Sequence, residues 1–242
     1  MIFIARINSS GQGTFVQLAH DVTFQHPNVV TDNNGNAYVA GHLMDTLSWG
    51  NFFLQGPDWV YDFFLVKVDS SGNFQWAKEV PNPTGGIVGD FYLASRKCLA
   101  YDPAGRILLA GNLRGSSDWG NGVLVNNGTP SQSQLDLVAF DISGLAMWAK
   151  NITGNTFTEM HAVVFNAGNW YFTASHHAET GIAFDTVNVD FLHPQNMLLA
   201  KLNNNMTTGL PGTDKEASTL AVFPNPSKGD YPSRTMDWNW KY

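Results

Sequence analysis

Cysteine is nearly absent from this 242-residue chain: Cys98 stands alone, so no internal disulfide and no cysteine metal cluster can form. Charge is sparse too, with 14% of residues Asp, Glu, Lys or Arg and a formal balance of −7. A net-negative chain attracts polyanions poorly, so no nucleic-acid partner is expected. No apolar run reaches the ~18 residues a membrane helix needs, so no membrane insertion is expected. Met1-Ile2-Phe3-Ile4 leads straight into repeated sequence, without the basic region or cleavage site of a signal peptide. The chain has no Gly-x-Ser-x-Gly elbow, and its glycine-rich stretch 83–89 lacks the Lys-Ser/Thr of a phosphate loop.

What the chain does hold is repetition. Phe64-Leu65-Val66-Lys67-Val68-Asp69-Ser70-Ser71-Gly72 runs on to Trp76-Ala77-Lys78, and Leu137-Val138-Ala139-Phe140-Asp141-Ile142-Ser143-Gly144 runs on to Trp148-Ala149-Lys150. A third copy covers Leu198–Asn203, and a fourth, Phe3–Gly11, opens the chain. Arg6, Lys67, Ala139 and Lys201 mark the register, at intervals of 61, 72 and 62 residues. A second phrase alternates with the first, as Val29–Gly41, Leu99–Gly111 and, with a turn one residue shorter, Ala162–Ser175. Both phrases read as hairpins: an apolar run, a turn opened by Asp or Asn and closed by Gly, and a second run.

Two hairpins in roughly every 60–70 residues make a four-stranded unit, the blade of a β-propeller. The chain is therefore expected to be all-β with helix nearly absent, a propeller-type array of three blades at about 28–78, 97–150 and 161–202. These lie within a repeat region over 1–205, preceded by an extra hairpin at 3–18. A linker at 206–221 and a separate end segment at 222–242 follow. The third blade is expected to lack its last strand, because nothing like Gln75-Trp76-Ala77-Lys78 follows Leu202. Two copies would offer six blades, with the N-terminal hairpin of one completing the third blade of the other. A homodimer sharing a sheet edge is thus expected. The long links, at 42–62, 79–96, 112–135, 151–160 and 176–196, should all emerge on one rim, where binding or chemistry is expected.

The paired phrases resemble the β-propeller repeats of secreted and surface proteins abundant in the Bacteroidetes, over about residues 3–205. Val222-Phe223-Pro224-Asn225-Pro226-Ser227-Lys228-Gly229 looks like the opening of the C-terminal sorting domain of type IX secretion, from which the tail at 230–242 departs. The resemblance implies a fragment of a longer protein at the outer-membrane surface or outside the cell. It also implies a non-catalytic module that recognises a glycan or surface protein and requires no cofactor.

Trp59 and Tyr61 lie in a long link without counterparts in the next unit, and are the first ligand-contact candidates; His42 and Arg114 follow. Trp49, Trp119, Trp76 and Trp148 recur with the repeat and are expected to fill the space between units rather than to stack on sugars. The Asp-containing turns carry one carboxylate each, too few for a calcium loop, and turn chemistry accounts for them. The histidines instead depart from the repeat: His161, His176, His177 and His193 gather in the third unit, and His42 follows Ala40-Gly41 much as His176 follows Ala174-Ser175. The competing expectation is a metal-dependent hydrolase of esters or phosphoesters. His161 and His176 would be first ligands to zinc or another divalent ion, His177 or His193 third, and Glu159 or Glu179 the base for metal-bound water.

Overall fold

Asp and Asn open the turns, and the turns repeat in atomic detail. In the computed structural model the carboxylate or amide Oδ1 of Asn8, Asp32, Asp69 and Asp141 accepts the backbone N–H groups two and four residues ahead, at 2.8–3.0 Å. Asp102 takes the Ala104 amide at 2.6 Å and pairs with Arg106. The turn itself engages these oxygens, which is why the motif needs Asp or Asn. At Asp69 the amide of Asn73, and at Asp32 the Asn36, Asn34 and Tyr38 bonds acting against partial burial, hold the carboxyl below the usual range.

The structure describes residues 2–19, 27–43, 46–55, 62–79, 90–126, 133–154, 158–177, 181–184, 187–189, 196–203 and 220–223. Every regular element among them is a strand. An opening hairpin, β1 (Ile2–Ile7) and β2 (Gly13–Ala19), precedes a first antiparallel sheet of β3 (Asn28–Thr31), β4 (Ala37–Leu43), β7 (Asp62–Val68) and β8 (Phe74–Lys78). Between β4 and β7 lies a small hairpin, β5 (Leu47–Trp49) and β6 (Phe52–Leu54). The second sheet orders β10 (Leu99–Asp102), β11 (Arg106–Arg114), β14 (Ser133–Asp141) and β15 (Ala146–Gly154), with β9 (Asp90–Leu93) paired to the far end of β11. Its own small hairpin is β12 (Ser116–Asp118) and β13 (Leu124–Asn126). The third sheet orders β16 (Thr158–Asn166), β17 (Asn169–His176), β20 (Asn196–Asn203) and β21 (Leu220–Phe223). Its small hairpin, β18 (Ile182–Phe184) and β19 (Val187–Val189), pairs onto β15 of the second sheet.

The third sheet does not lack its last strand. β21 pairs with β20 in the register Leu199↔Phe223 to Leu202↔Leu220, the place β8 holds on β7. The opening residues of the supposed sorting domain, Val222 and Phe223, are therefore strand residues of this sheet. The opening hairpin is not needed to complete it and packs instead against the first sheet, where Ile4 and Phe15 join the cluster of Val39, Phe64, Val66 and Val68.

Strand alternation divides each sheet into two apolar faces. Val39, Phe64, Val66 and Val68 face the opening hairpin, while Tyr38, Ala40, Phe63 and Leu65 face the second sheet and join its core. The second sheet lies between two neighbours, so Ile107 to Leu113 on β11 are buried on both sides. Trp49 and Trp119 are core residues, as the repeat suggests; Trp119 packs on Phe63, Phe91 and Phe140. The first strands of successive sheets lie side by side. The Cys98 amide donates to Asn28 Oδ1 at 3.0 Å, and Lys97 forms a parallel bridge to Ala162. Among the described residues this pairing closes no barrel or ring.

Candidate functional site

The rim at the C-terminal end of β17 brings together two of the described candidates, His161 and His177, with Glu159 beside them. β16 and β17 are paired regularly except between Met160 and Ala162, where His161 is the extra residue of a β-bulge. A bulge re-aims one side chain without ending the strand. This one is held from the second sheet: Asn112 donates through Nδ2 to the Thr158 carbonyl at 2.7 Å and accepts the Met160 amide at 2.9 Å. The Arg96 and Lys97 amides both donate to the His161 carbonyl, at 2.8 and 3.0 Å, and that places Ser95 beside the imidazole.

The result is a continuous chain of hydroxyls and imidazoles. His161 Nδ1 is 2.8 Å from Ser95 Oγ, His161 Nε2 is 3.0 Å from Ser175 Oγ, and Ser175 Oγ is 3.2 Å from His177 Nε2. A neutral imidazole donates from one nitrogen and accepts at the other, so the chain runs in one sense or the reverse without a change of charge. Ser95 and His177 are its exposed ends. Glu159 is peripheral, with Oε1 at 3.9 Å from His161 Nδ1.

His176 is not part of this group. Alternation along β17 turns it with Trp170, Phe172 and Ala174 toward the second sheet, where it is buried. Register explains why. Ala40 and Ala110 face Leu65 and Leu137, whereas Leu199, the equivalent of those leucines, faces Thr173. Ser175 is thus the counterpart of His42 and Asn112, and His176 the counterpart of the buried Leu43 and Leu113. The third turn is one residue short, and a one-residue slip moves a side chain to the other face.

His42 is half-buried on β4 and faces the second sheet, opposite Phe63. Arg114 is exposed at the end of β11, its guanidinium 5.2 Å from the centre of the Tyr92 ring. Trp59, Tyr61, Glu179 and His193 lie outside the described residues. Ser95 and Ser175 are the participants the sequence did not announce; counting the short third turn would have found Ser175, but nothing local marks Ser95. Among the described residues, no three His, Cys, Asp or Glu side chains converge as a metal site.

Neither a family model nor a curated protein matches the chain.

Proposed function

We propose that the three four-stranded sheets are successive blades of a propeller-type array, and that the rim holding Ser95, His161, Ser175 and His177 binds an extracellular glycan or surface protein. The observation that carries this reading is the hydroxyl–imidazole chain, open to solvent at both ends. Sugar hydroxyls and peptide groups both donate and accept, and a chain of reversible polarity can meet either. Arg114 over Tyr92 lies at the end of the equivalent strand and adds a cation and a ring to the same rim. The side-by-side first strands and the repeated Asp-centred turns support the blade reading. Trp59 and Tyr61 remain the proposed aromatic contacts, His42 a flanking one, and the repeat resemblance favours the outer cell surface as the place of action.

Screening the chain against glycan and surface-protein arrays tests this. A ligand is expected whose affinity falls at least ~10-fold, about 1.4 kcal/mol, on His161→Ala and on His177→Ala, and falls again on Trp59→Ala or Tyr61→Ala. A ligand indifferent to all four changes, or no ligand on either array, overturns the reading.

Hydrolysis is the second reading, favoured by one contact: Ser95 Oγ lies within a base's reach of His161. In the metal-assisted form His161 and His177 would hold zinc or another divalent ion, His193 would be the third imidazole, and Glu159 or Glu179 the base. Elemental analysis paired with a chromogenic ester and phosphoester panel decides it. Bound metal with turnover lowered ~100-fold by His161→Ala, about 2.7 kcal/mol, would raise hydrolysis above binding. A metal-free protein that stays inactive after zinc is added would retire it.

A further inference from the structure

One contact recurs between consecutive units. Lys67 on the third strand of the first sheet donates through Nζ to the Ile142 carbonyl in a turn of the second sheet, at 3.0 Å. Arg6, its counterpart in the opening hairpin, donates to the Ser70 carbonyl in the equivalent turn of the first sheet. The aromatic on the following strand repeats as well. Trp76 lies against Gly144, where a Cβ would stand 3.0 Å from the indole, and Phe15 lies against Gly72, where it would stand 2.7 Å from the ring. At these two seams the earlier unit thus docks by a leading face on a trailing face of the next.

By this rule, among the described residues one face of each kind is left uncovered. The third sheet's leading face carries Met197 and Leu199, 73% and 39% exposed, although their counterparts Phe63 and Leu65 in the first sheet are fully buried, at 0%. The opening hairpin's trailing face carries Phe3 and Ile7, both 66% exposed, although their counterparts Phe64 and Val68 are 0% exposed. Two apolar faces of opposite kind, each buried wherever the repeat supplies a neighbour, are complementary by construction.

We propose that the leading face of the third sheet seats the trailing face of the opening hairpin from a second copy of this chain, with Lys201 at the seam where Arg6 and Lys67 stand inside the chain. The occupant is a second copy because its hairpin already makes this kind of contact with the first sheet. The seam is head-to-tail, and closing it around a two-fold axis puts six full sheets and two hairpins in one ring. The inference rests on the blade reading of the sheets and not on the ligand reading of the rim, so array binding and assembly can fail separately.

Sedimentation of the full chain over a micromolar concentration series, with circular dichroism as a check on folding, tests the seam. The expected species has at least twice the chain mass of 26.6 kDa. The pair Met197→Glu and Leu199→Glu should reduce it to a monomer, as should Phe3→Glu with Ile7→Glu, while the β spectrum is unchanged. Mixing the two double variants leaves one intact seam in each pair and should restore a paired species that neither forms alone. A wild-type monomer at about 50 µM, where a seam with a Kd of about 1 µM would be mostly paired, an assembly indifferent to both double variants, or no recovery on mixing overturns the proposal.

Discussion

Asp136 stands where the first sheet places Phe64 and the third places Leu198, since Gly41↔Phe64, Gly111↔Asp136 and Ala174↔Leu198 are equivalent pairs. In the first sheet the ring of Phe64 lies over Gly41. In the second, Phe91 from β9 takes that room over Gly111, and the third-strand side chain is left small. The Asp136 carboxyl is fully buried, with neither oxygen in hydrogen-bond geometry. Burial pushes its pKa up to about 8, and the Leu137 amide opposes this only in part. Folded, the group keeps its proton through a range where the unfolded chain has lost it. Stability therefore falls as pH rises from about 4 toward about 8, by at most about 1.4 kcal/mol per unit, and levels off above. Asp136→Leu should remove that slope and raise stability at pH 8 by more than the roughly 1–3 kcal/mol that a neutral buried unsatisfied polar group costs, because the slope accumulates over about four pH units. Denaturant titrations at pH 5 and pH 8 check it; a variant whose stability still falls over that interval as in wild type would show the carboxyl is solvated.

Between elements, Asn112 does most to fix the candidate site. Its amide closes onto Thr158 and Met160 immediately before the His161 bulge. Asn112→Ala leaves a buried carbonyl and a buried N–H without partners, and should cost about 1–3 kcal/mol while loosening the bulge. The histidine ring signals in an NMR spectrum should then broaden or shift; sharp, unmoved signals would mean the bulge stands without the clamp. The turn glycines make a second test. Gly144 has φ +82°, and an added Cβ would meet Lys78 Cε at 2.7 Å as well as the Trp76 ring. Gly144→Ala should destabilise by at least the roughly 1 kcal/mol that a left-handed backbone costs a side chain, with a further cost if the packed Trp76 ring cannot give by a few tenths of an ångström, and thermal melts read this directly.

These same elements show what was legible beforehand. The hairpins and their turns were, because Asp, Gly and alternating apolar runs act within ten or so residues. The small hairpins β5–β6, β12–β13 and β18–β19 were not, although Trp49-Gly50-Asn51 and Trp119-Gly120-Asn121 sit at two of their turns; three-residue strands carry too little periodicity. β21 escaped because its place depends on a free edge of β20, far back in the chain, and not on its own residues. The hydroxyls beside His161 depend on a bulge and a shortened turn, both of which act through register. Composition does not register either.

For the whole molecule, the repeat implies a gradient of stability along the array. In stacked units, free energy is approximately the sum of each unit and its neighbour contacts, so a unit flanked on both sides outlasts one flanked on one. The second sheet is flanked on both sides, and β11 and β14 bury Leu108, Leu109, Ala110, Leu137, Val138 and Ala139 completely. Among the described residues the opening hairpin pairs only within itself, and β21 only with β20. Amide exchange should therefore be slowest at 107–110 and 137–140, approaching global unfolding, and fastest in β1, β2 and β21, through local opening. Protection that is level from β1 to β21 would show a single cooperative body and defeat the additive view. The hairpin provides an internal control: if a second copy covers Phe3 and Ile7, protection of β1 and β2 should rise with protein concentration while that of β11 stays fixed. A hairpin whose exchange ignores concentration while β11 remains the slowest strand would keep the gradient and discard the seam.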